Sequence, residues 1–174
     1  MVIAIDGPAG SGKSTIARLV AERRSFLYVN SGSLYRAVAY EAVEAGIDAG
    51  DAAGLAALAA RLDLEYRGDG SVLSGGRDLT PFLRSDAVEA VVAQVSAVPE
   101  VRERVNAVVR SVAARRDVVV EGRDMSTVVF PDADFKFYLD ASADSRARRR
   151  LGQGTSGLGL EEIRANIEMR DAID

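Results

Sequence analysis

Gly7, Pro8, Ala9, Gly10, Ser11, Gly12, Lys13 and Ser14 fit the pattern G-x-x-x-x-G-K-[ST] and follow an apolar run directly. The glycines let several backbone N–H groups turn into one hollow, and a helix opening at its end adds the positive end of its dipole. Lys13 is placed to reach outer phosphates, and the Ser14 hydroxyl to sit on Mg²⁺. A glycine-rich turn ending by chance in Lys-Ser is the alternative, but the flanking strand and helix patterns argue against it. The stretch reads as a nucleotide phosphate site.

Further chemistry is spread along the chain. Arg36 falls one helical turn after Gly32, and Arg123 follows an apolar run directly. Two fixed guanidinium groups suit bidentate recognition of a second phosphate, although each could pair with a carboxylate instead. Glu121 ends the run before Arg123 and could order the waters around Mg²⁺, or simply terminate a strand. Asp124 could accept a hydrogen bond from an exocyclic amine or cap the next turn. Arg146, Arg149 and Arg150 share one side of a predicted helix. They read as a lid bringing positive charge over a transferring phosphoryl group, against the plainer reading of a solvated face.

Elements that would position these residues alternate in kind. Val2 to Asp6, Phe26 to Val29, Asp117 to Glu121 and Asp134 to Leu139 read as short strands. Helices are predicted from Thr15 to Arg24, with apolar Ile16, Leu19 and Val20, and from Asn30 or Ser31 to about Ala45. Others run from Asp51 through Ala60, from Asp86 to Val98, from Pro99 to about Ala114, through Asp144 to Arg150, and from Leu160 to Met169. Glycine-rich 152–159 reads as mobile. Residues 62 to about 80 alternate between glycine turns and read as an inserted antiparallel meander. The rhythm predicts an α/β fold with a parallel sheet and helices on both faces, ligands sitting at the carboxyl ends of the strands. Three polar clusters fall there: Gly7 to Ser14, Asn30 to Arg36, and Glu121 to Asp124.

The 174 residues suit one domain with a sizeable core. A net charge of −4 argues against a general nucleic-acid binder. Cysteine and histidine are absent, which excludes disulfides, thiolate or imidazole metal sites and Ser-His nucleophiles. Phosphoryl transfer tolerates that loss, because positioning and charge neutralisation supply most of its catalysis. Neither a signal peptide nor a membrane-length apolar run is present, so the cytoplasm is the expected compartment. Of the 22 basic residues only Lys13 and Lys136 are lysine, a bias read as genomic.

Several segments together resemble the bacterial cytidylate kinases. They are the phosphate loop, Asn30 to Arg36, Gln94 to Arg102, Glu121 to Ala133, and Arg170-Asp171. The resemblance covers essentially the whole chain. It implies a single three-layer P-loop nucleoside monophosphate kinase domain. The core would take about 1–30 and 115–140, a monophosphate-binding part with the insertion about 31–114, and a lid about 144–162. It also implies Mg²⁺-dependent transfer of the ATP γ-phosphoryl group to CMP or dCMP by a monomer, with no nucleic-acid or membrane partner. Gly7 to Ser14 and Thr15 would bind ATP, with Lys13, Arg123, Arg146 and Arg149 catalytic. Ser14, and Glu121 through water, would serve the metal. Ser31, Arg36, Arg102, Arg123, Asp124, Arg170 and Asp174 would bind CMP. Within that group Arg36, Arg123 and Arg170 hold the phosphate, and Asp124 favours the cytosine amine.

The chain departs from the family pattern at four points. Asn30 stands where an aspartate is usual, removing a carboxylate near the phosphates. Ser126 replaces a glycine, stiffening its loop, and Ala93 falls where some members set a serine against the base. The family pattern also runs on past Asp174 with an arginine, a strand and a helix. The chain therefore reads as a fragment, or as a short protein of weakened activity, with a sheet edge and apolar surface left open.

Overall fold

The computed structural model describes residues 1–152 and 159–173, with side chains except at 150, 166 and 168–173. Strand β1 (Val2–Asp6) is followed by α1 (Lys13–Arg24), β2 (Leu27–Asn30), α2 (Ser31–Glu44) and α3 (Ala52–Arg61). Then come three short strands, β3 (Leu64–Tyr66), β4 (Val72–Ser74) and β5 (Arg77–Asp78), and helices α4 (Asp86–Ala97) and α5 (Pro99–Ala113). Strand β6 (Val118–Gly122), β7 (Phe135–Tyr138), α6 (Ala143–Gly152) and α7 (Leu160–Ile173) complete the order.

Four strands form a parallel sheet in the order β2-β6-β1-β7. Alternation divides its apolar residues between two layers. Ala4, Val29, Val118 and Val120 face a core filled by α2, α3, α4 and α5, whereas Ile3, Ile5 and Val119 face α1. The architecture is the expected α/β arrangement with helices on both faces. Ile5 lies opposite Glu121 and Asp6 opposite Gly122, so the loops after β1 and β6 leave the sheet side by side.

The face of α1 differs from expectation. Ala17 and Ala21 are buried against the sheet, while Ile16 and Leu19 are 41% and 45% exposed. The alanines, four residues apart, let the helix backbone come close to the strands, and the larger side chains are turned outward.

The meander is a separate antiparallel sheet in the order β3-β4-β5. Its last strand is Arg77–Asp78, after which Leu79 is buried in the core. Helices α6 and α7 share a small cluster of Ala147, Ile163 and Ile167, with Arg164 paired to Asp144 at 3.1 Å. Most of the stretch predicted to be mobile, 153–158, lies outside the described residues. Strand β7 is an edge, and its Phe135, Phe137 and Tyr138 are exposed. Among the described residues no helix is long and apolar enough to cross a membrane.

Candidate active site

The loop from Gly7 to Gly12 leaves β1 and ends where α1 starts at Lys13. Gly7 has φ +143°, and a Cβ there would lie 2.0 Å from the Leu139 carbonyl oxygen of the chain leaving β7. Only glycine lets the loop pass so close to the neighbouring strand end. Lys13 is buried, and its Nζ donates to the Pro8 carbonyl at 2.7 Å across the loop. The Ser11 hydroxyl is also buried and has no hydrogen-bond partner among the described residues. The first N–H groups of α1 have no partner within the helix, so hollow, cation and dipole converge.

Glu121 is 4% exposed at the end of β6 and receives two hydrogen bonds. Ser14 Oγ donates to Oε2 at 3.0 Å, and the Tyr28 hydroxyl donates to Oε1. Burial, then the charge of Glu121, pushes the Tyr28 phenol up to about 12, so it keeps its proton at neutral pH. Asn30 Nδ2 donates to the same phenol at 3.2 Å, while its Oδ1 accepts from Ser33 N and caps α2. The Asn30 amide thus both caps the helix and holds the phenol that bonds Glu121.

On the other side of β6 lies a second set of groups. Ser31 is buried, and its hydroxyl donates to the Glu121 carbonyl at 2.9 Å, tying α2 to the strand end. Gly122 is confined by this contact, since a Cβ there would meet Ser31 Oγ at 2.7 Å and Met125 at 2.8 Å. Arg36 Nε donates to Glu89 Oε1 at 2.8 Å, and its Nη1 to the Gly32 carbonyl at 3.2 Å. Arg102 reaches from α5 to Asp124 Oδ2 and also donates to the Ser96 carbonyl at 3.3 Å. Arg123 is half-buried directly after β6. Beside Arg102 and Asp124, burial pushes the Tyr35 phenol up to about 12, and its oxygen is buried with no hydrogen-bond partner among the described residues.

Helix α6 sits over the phosphate loop. Arg146 is buried, with Nη1 on the Ala9 carbonyl at 3.3 Å and Nε on that of Ala141 at 2.8 Å. Arg149 Nη1 donates to the Gly10 and Ser11 carbonyls at 3.3 and 3.0 Å. Between loop and helix opens a cleft of about 520 Å³ lined by Ser11, Gly12, Thr15, Ile16, Arg149 and Gly152. The side chain of Arg170, and Asp174 altogether, lie outside the described residues.

Two groups of predicted residues therefore converge, Gly7 to Ser14 with Glu121, Arg146 and Arg149, and Arg102 with Asp124. Arg36 is joined to a carboxylate, Glu89. Tyr28, Tyr35 and Glu89 escaped sequence reasoning. The paired β6 position of Tyr28 carried no local signal, and Glu89 lies 53 residues from its arginine.

The family model described as cytidylate kinase matches residues 3–174. The cytidylate kinase of Symbiobacterium thermophilum is 48% identical over 181 residues, covering 100% of this chain and 80% of its own length. That of Pelotomaculum thermopropionicum is 49% identical over 152 residues, covering 85% and 67%. That of Geobacter sp. strain M21 is 41% identical over 180 residues, covering 100% and 77%. A solved structure of an uncharacterized protein from Eubacterium ventriosum shares the fold, at TM-score 0.53 and 12% identity over 99% of this chain and 72% of that one.

Proposed function

The chain belongs to the cytidylate kinase family, and from that premise we propose how its residues move the ATP γ-phosphoryl group to CMP or dCMP. It is a phosphotransferase with a nucleoside monophosphate as acceptor. What carries the assignment of roles is the adjacency of β1 and β6, whose loops bear the phosphate-binding residues and the Arg123-Asp124 pair. In-line transfer needs donor and acceptor phosphates held end to end, and neighbouring strand ends supply that.

ATP phosphates lie in the hollow of Gly7 to Ser14, with Lys13 leaving the Pro8 carbonyl for an outer phosphate. The base lies towards the cleft lined by Thr15 and Ile16. Arg146 and Arg149 exchange backbone carbonyls for the transferring phosphoryl group, and Arg123 neutralises charge on the acceptor side. Arg36 gives up Glu89 for the acceptor phosphate, with Arg123 and Arg170 as its partners. Arg102 and Asp124 hold the pyrimidine with Ser31 beside them, Asp124 accepting from the cytosine amine, and the role left to Asp174 is to bind the sugar.

The Ser14 hydroxyl and Glu121 carboxylate, 3.0 Å apart, are hard oxygen donors that fit Mg²⁺. Among the described residues no cluster of three or more acidic groups could hold a metal alone. Ser14 would ligate it and Glu121 would hold its waters. Once bound, Mg²⁺ supplies charge neutralisation to the phosphates. Such a site acts on free nucleotides and requires neither membrane nor nucleic acid, and we take the protein to be a cytoplasmic monomer.

The test is ADP release by this chain with Mg²⁺-ATP and CMP, dCMP, UMP or AMP supplied separately. Release dependent on CMP or dCMP is expected. Release that is equal with AMP, or independent of the acceptor, refutes the acceptor assignment.

A further inference from the structure

Asp6 has no part in the scheme above, yet it is a buried carboxylate, 2% exposed, at the last position of β1. Its Oδ1 accepts from Met125 N at 2.8 Å. Its Oδ2 accepts from Ser126 N at 2.7 Å and from the Ser126 hydroxyl. Both N–H groups belong to the opening of a π-helical turn, Met125–Val129, whose N-cap is Asp124.

An aspartate at an N-cap ordinarily bends its own carboxylate back onto the second or third N–H of the turn. Asp124 does not, for it makes no side-chain cap hydrogen bond. Its main-chain carbonyl closes the turn, accepting from Val128 N at 2.9 Å, and its side chain meets Arg102 instead. Asp6, 118 residues earlier by the difference of the two numbers, has taken the first and second N–H groups of the turn, and the second, Ser126 N–H, is one that an Asp124 cap would use.

We infer that Asp6 is a positioning residue for acceptor recognition, a cap supplied from β1 that releases the Asp124 carboxylate to face Arg102 and the pyrimidine. The inference rests on the reading of Asp124 as the group that accepts from the cytosine amine. Ser126 strengthens the latch, since its hydroxyl adds a third hydrogen bond that a glycine there would lack. When Asp6 can no longer accept from both N–H groups, the Asp124 carboxylate folds back to cap its own turn and leaves the base.

Asp6→Asn keeps the shape and one acceptor but sets an amide N–H₂ against one of the two N–H groups. Calorimetric titration with CMP, UMP and ATP separately, alongside a thermal melt, reads the effect. CMP affinity should fall about ten-fold, the value of one hydrogen bond to a charged group. ATP affinity should stay within two-fold, and the preference for CMP over UMP should shrink by about the same ten-fold. An equal loss for CMP and UMP, or a loss for ATP as large as for CMP, would mean that Asp6 serves the fold or the phosphate loop and overturns the inference. Should Asp6→Asn fail to fold, Ser126→Gly decides, since both N–H groups remain and only the hydroxyl bond goes. A two- to three-fold loss of CMP affinity with unchanged ATP affinity is expected there, and no change refutes the latch. Absence of CMP preference in the wild type would instead refute the reading of Asp124 itself.

Discussion

Asp124→Ala removes the carboxylate that pairs with Arg102 and nothing else of bulk. The two side chains are 38% and 16% exposed, so the ion pair is partly solvated on the arginine side and its loss costs the fold less than about 1 kcal/mol. A cytosine amine donating to the carboxylate is a charge-assisted hydrogen bond in a half-buried site, worth about 1.5–3 kcal/mol. That corresponds to roughly 10- to 150-fold in kcat/KM for CMP. UMP offers a carbonyl oxygen at the same position, which the carboxylate repels and an unpaired Arg102 attracts. Its kcat/KM should therefore hold or rise. The assay is ADP release at saturating Mg²⁺-ATP with CMP and UMP varied, and a melt to show an intact fold. A CMP/UMP ratio falling at least ten-fold is expected. Equal losses for the two acceptors, with the melting temperature preserved, would remove Asp124 from base recognition.

Lys13→Ala should lower turnover by about a hundred-fold or more in a chain that still melts cooperatively, the bond to the Pro8 carbonyl being among those lost; near-normal turnover refutes the phosphate-loop assignment. Glu121→Gln keeps the shape around Ser14 and Tyr28 but not the charge, so half-saturating Mg²⁺ should rise about ten-fold or more, and an unchanged Mg²⁺ requirement speaks against the metal role. Tyr28 and Tyr35 are raised from 10.0 to about 12 on folding. A raised value means stability that is whole below pH 10 and lost as pH climbs towards 12. Alkaline denaturation should accordingly begin above pH 10 and move upward in Tyr35→Phe, and a stability flat to pH 12 contradicts the burial of these phenols.

What could be read from the sequence was local. The phosphate loop occupies eight consecutive positions with glycines where φ must be positive, so strand, loop and helix were all visible together. The parallel sheet followed from apolar runs, and the meander from its paired glycines. The buried face of α1 was not legible, because apolar periodicity favours Ile16 and Leu19 over alanines, whereas close packing on a sheet favours Ala17 and Ala21. The carboxylate on Arg36, the phenol on Glu121 and the cap on Met125 join residues 53, 93 and 119 apart. The last two depend on the order of strands in the sheet and the first on the packing of α2 against α4, which no spacing within a segment encodes. Of the alternatives open for Asp124, the side-chain cap is absent, since Asp6 holds the first N–H groups of the turn, and base contact is what the Asp124→Ala assay tests.

Hydrogen bonds to the protein's own acceptors bear on how a net-negative chain binds two phosphorylated nucleotides. Lys13, Arg36, Arg102, Arg146 and Arg149 all rest on acceptors of the protein before any nucleotide arrives: the Pro8, Gly32, Ser96, Ala9 and Gly10 carbonyls among them. Long side chains held this way have lost most of their rotamer freedom during folding, so a nucleotide need not order them again. The exchange of a neutral carbonyl for a phosphate oxygen then sets an ionised acceptor against a donor that is already charged, which shortens and strengthens the hydrogen bond. Arg36 must leave the Glu89 carboxylate and gains correspondingly less, and Arg102, already paired with Asp124, makes no such exchange. Base contact through Asp124 and Arg102, and the backbone hollow of the phosphate loop, therefore matter more to acceptor and donor affinity than the arginine count alone suggests.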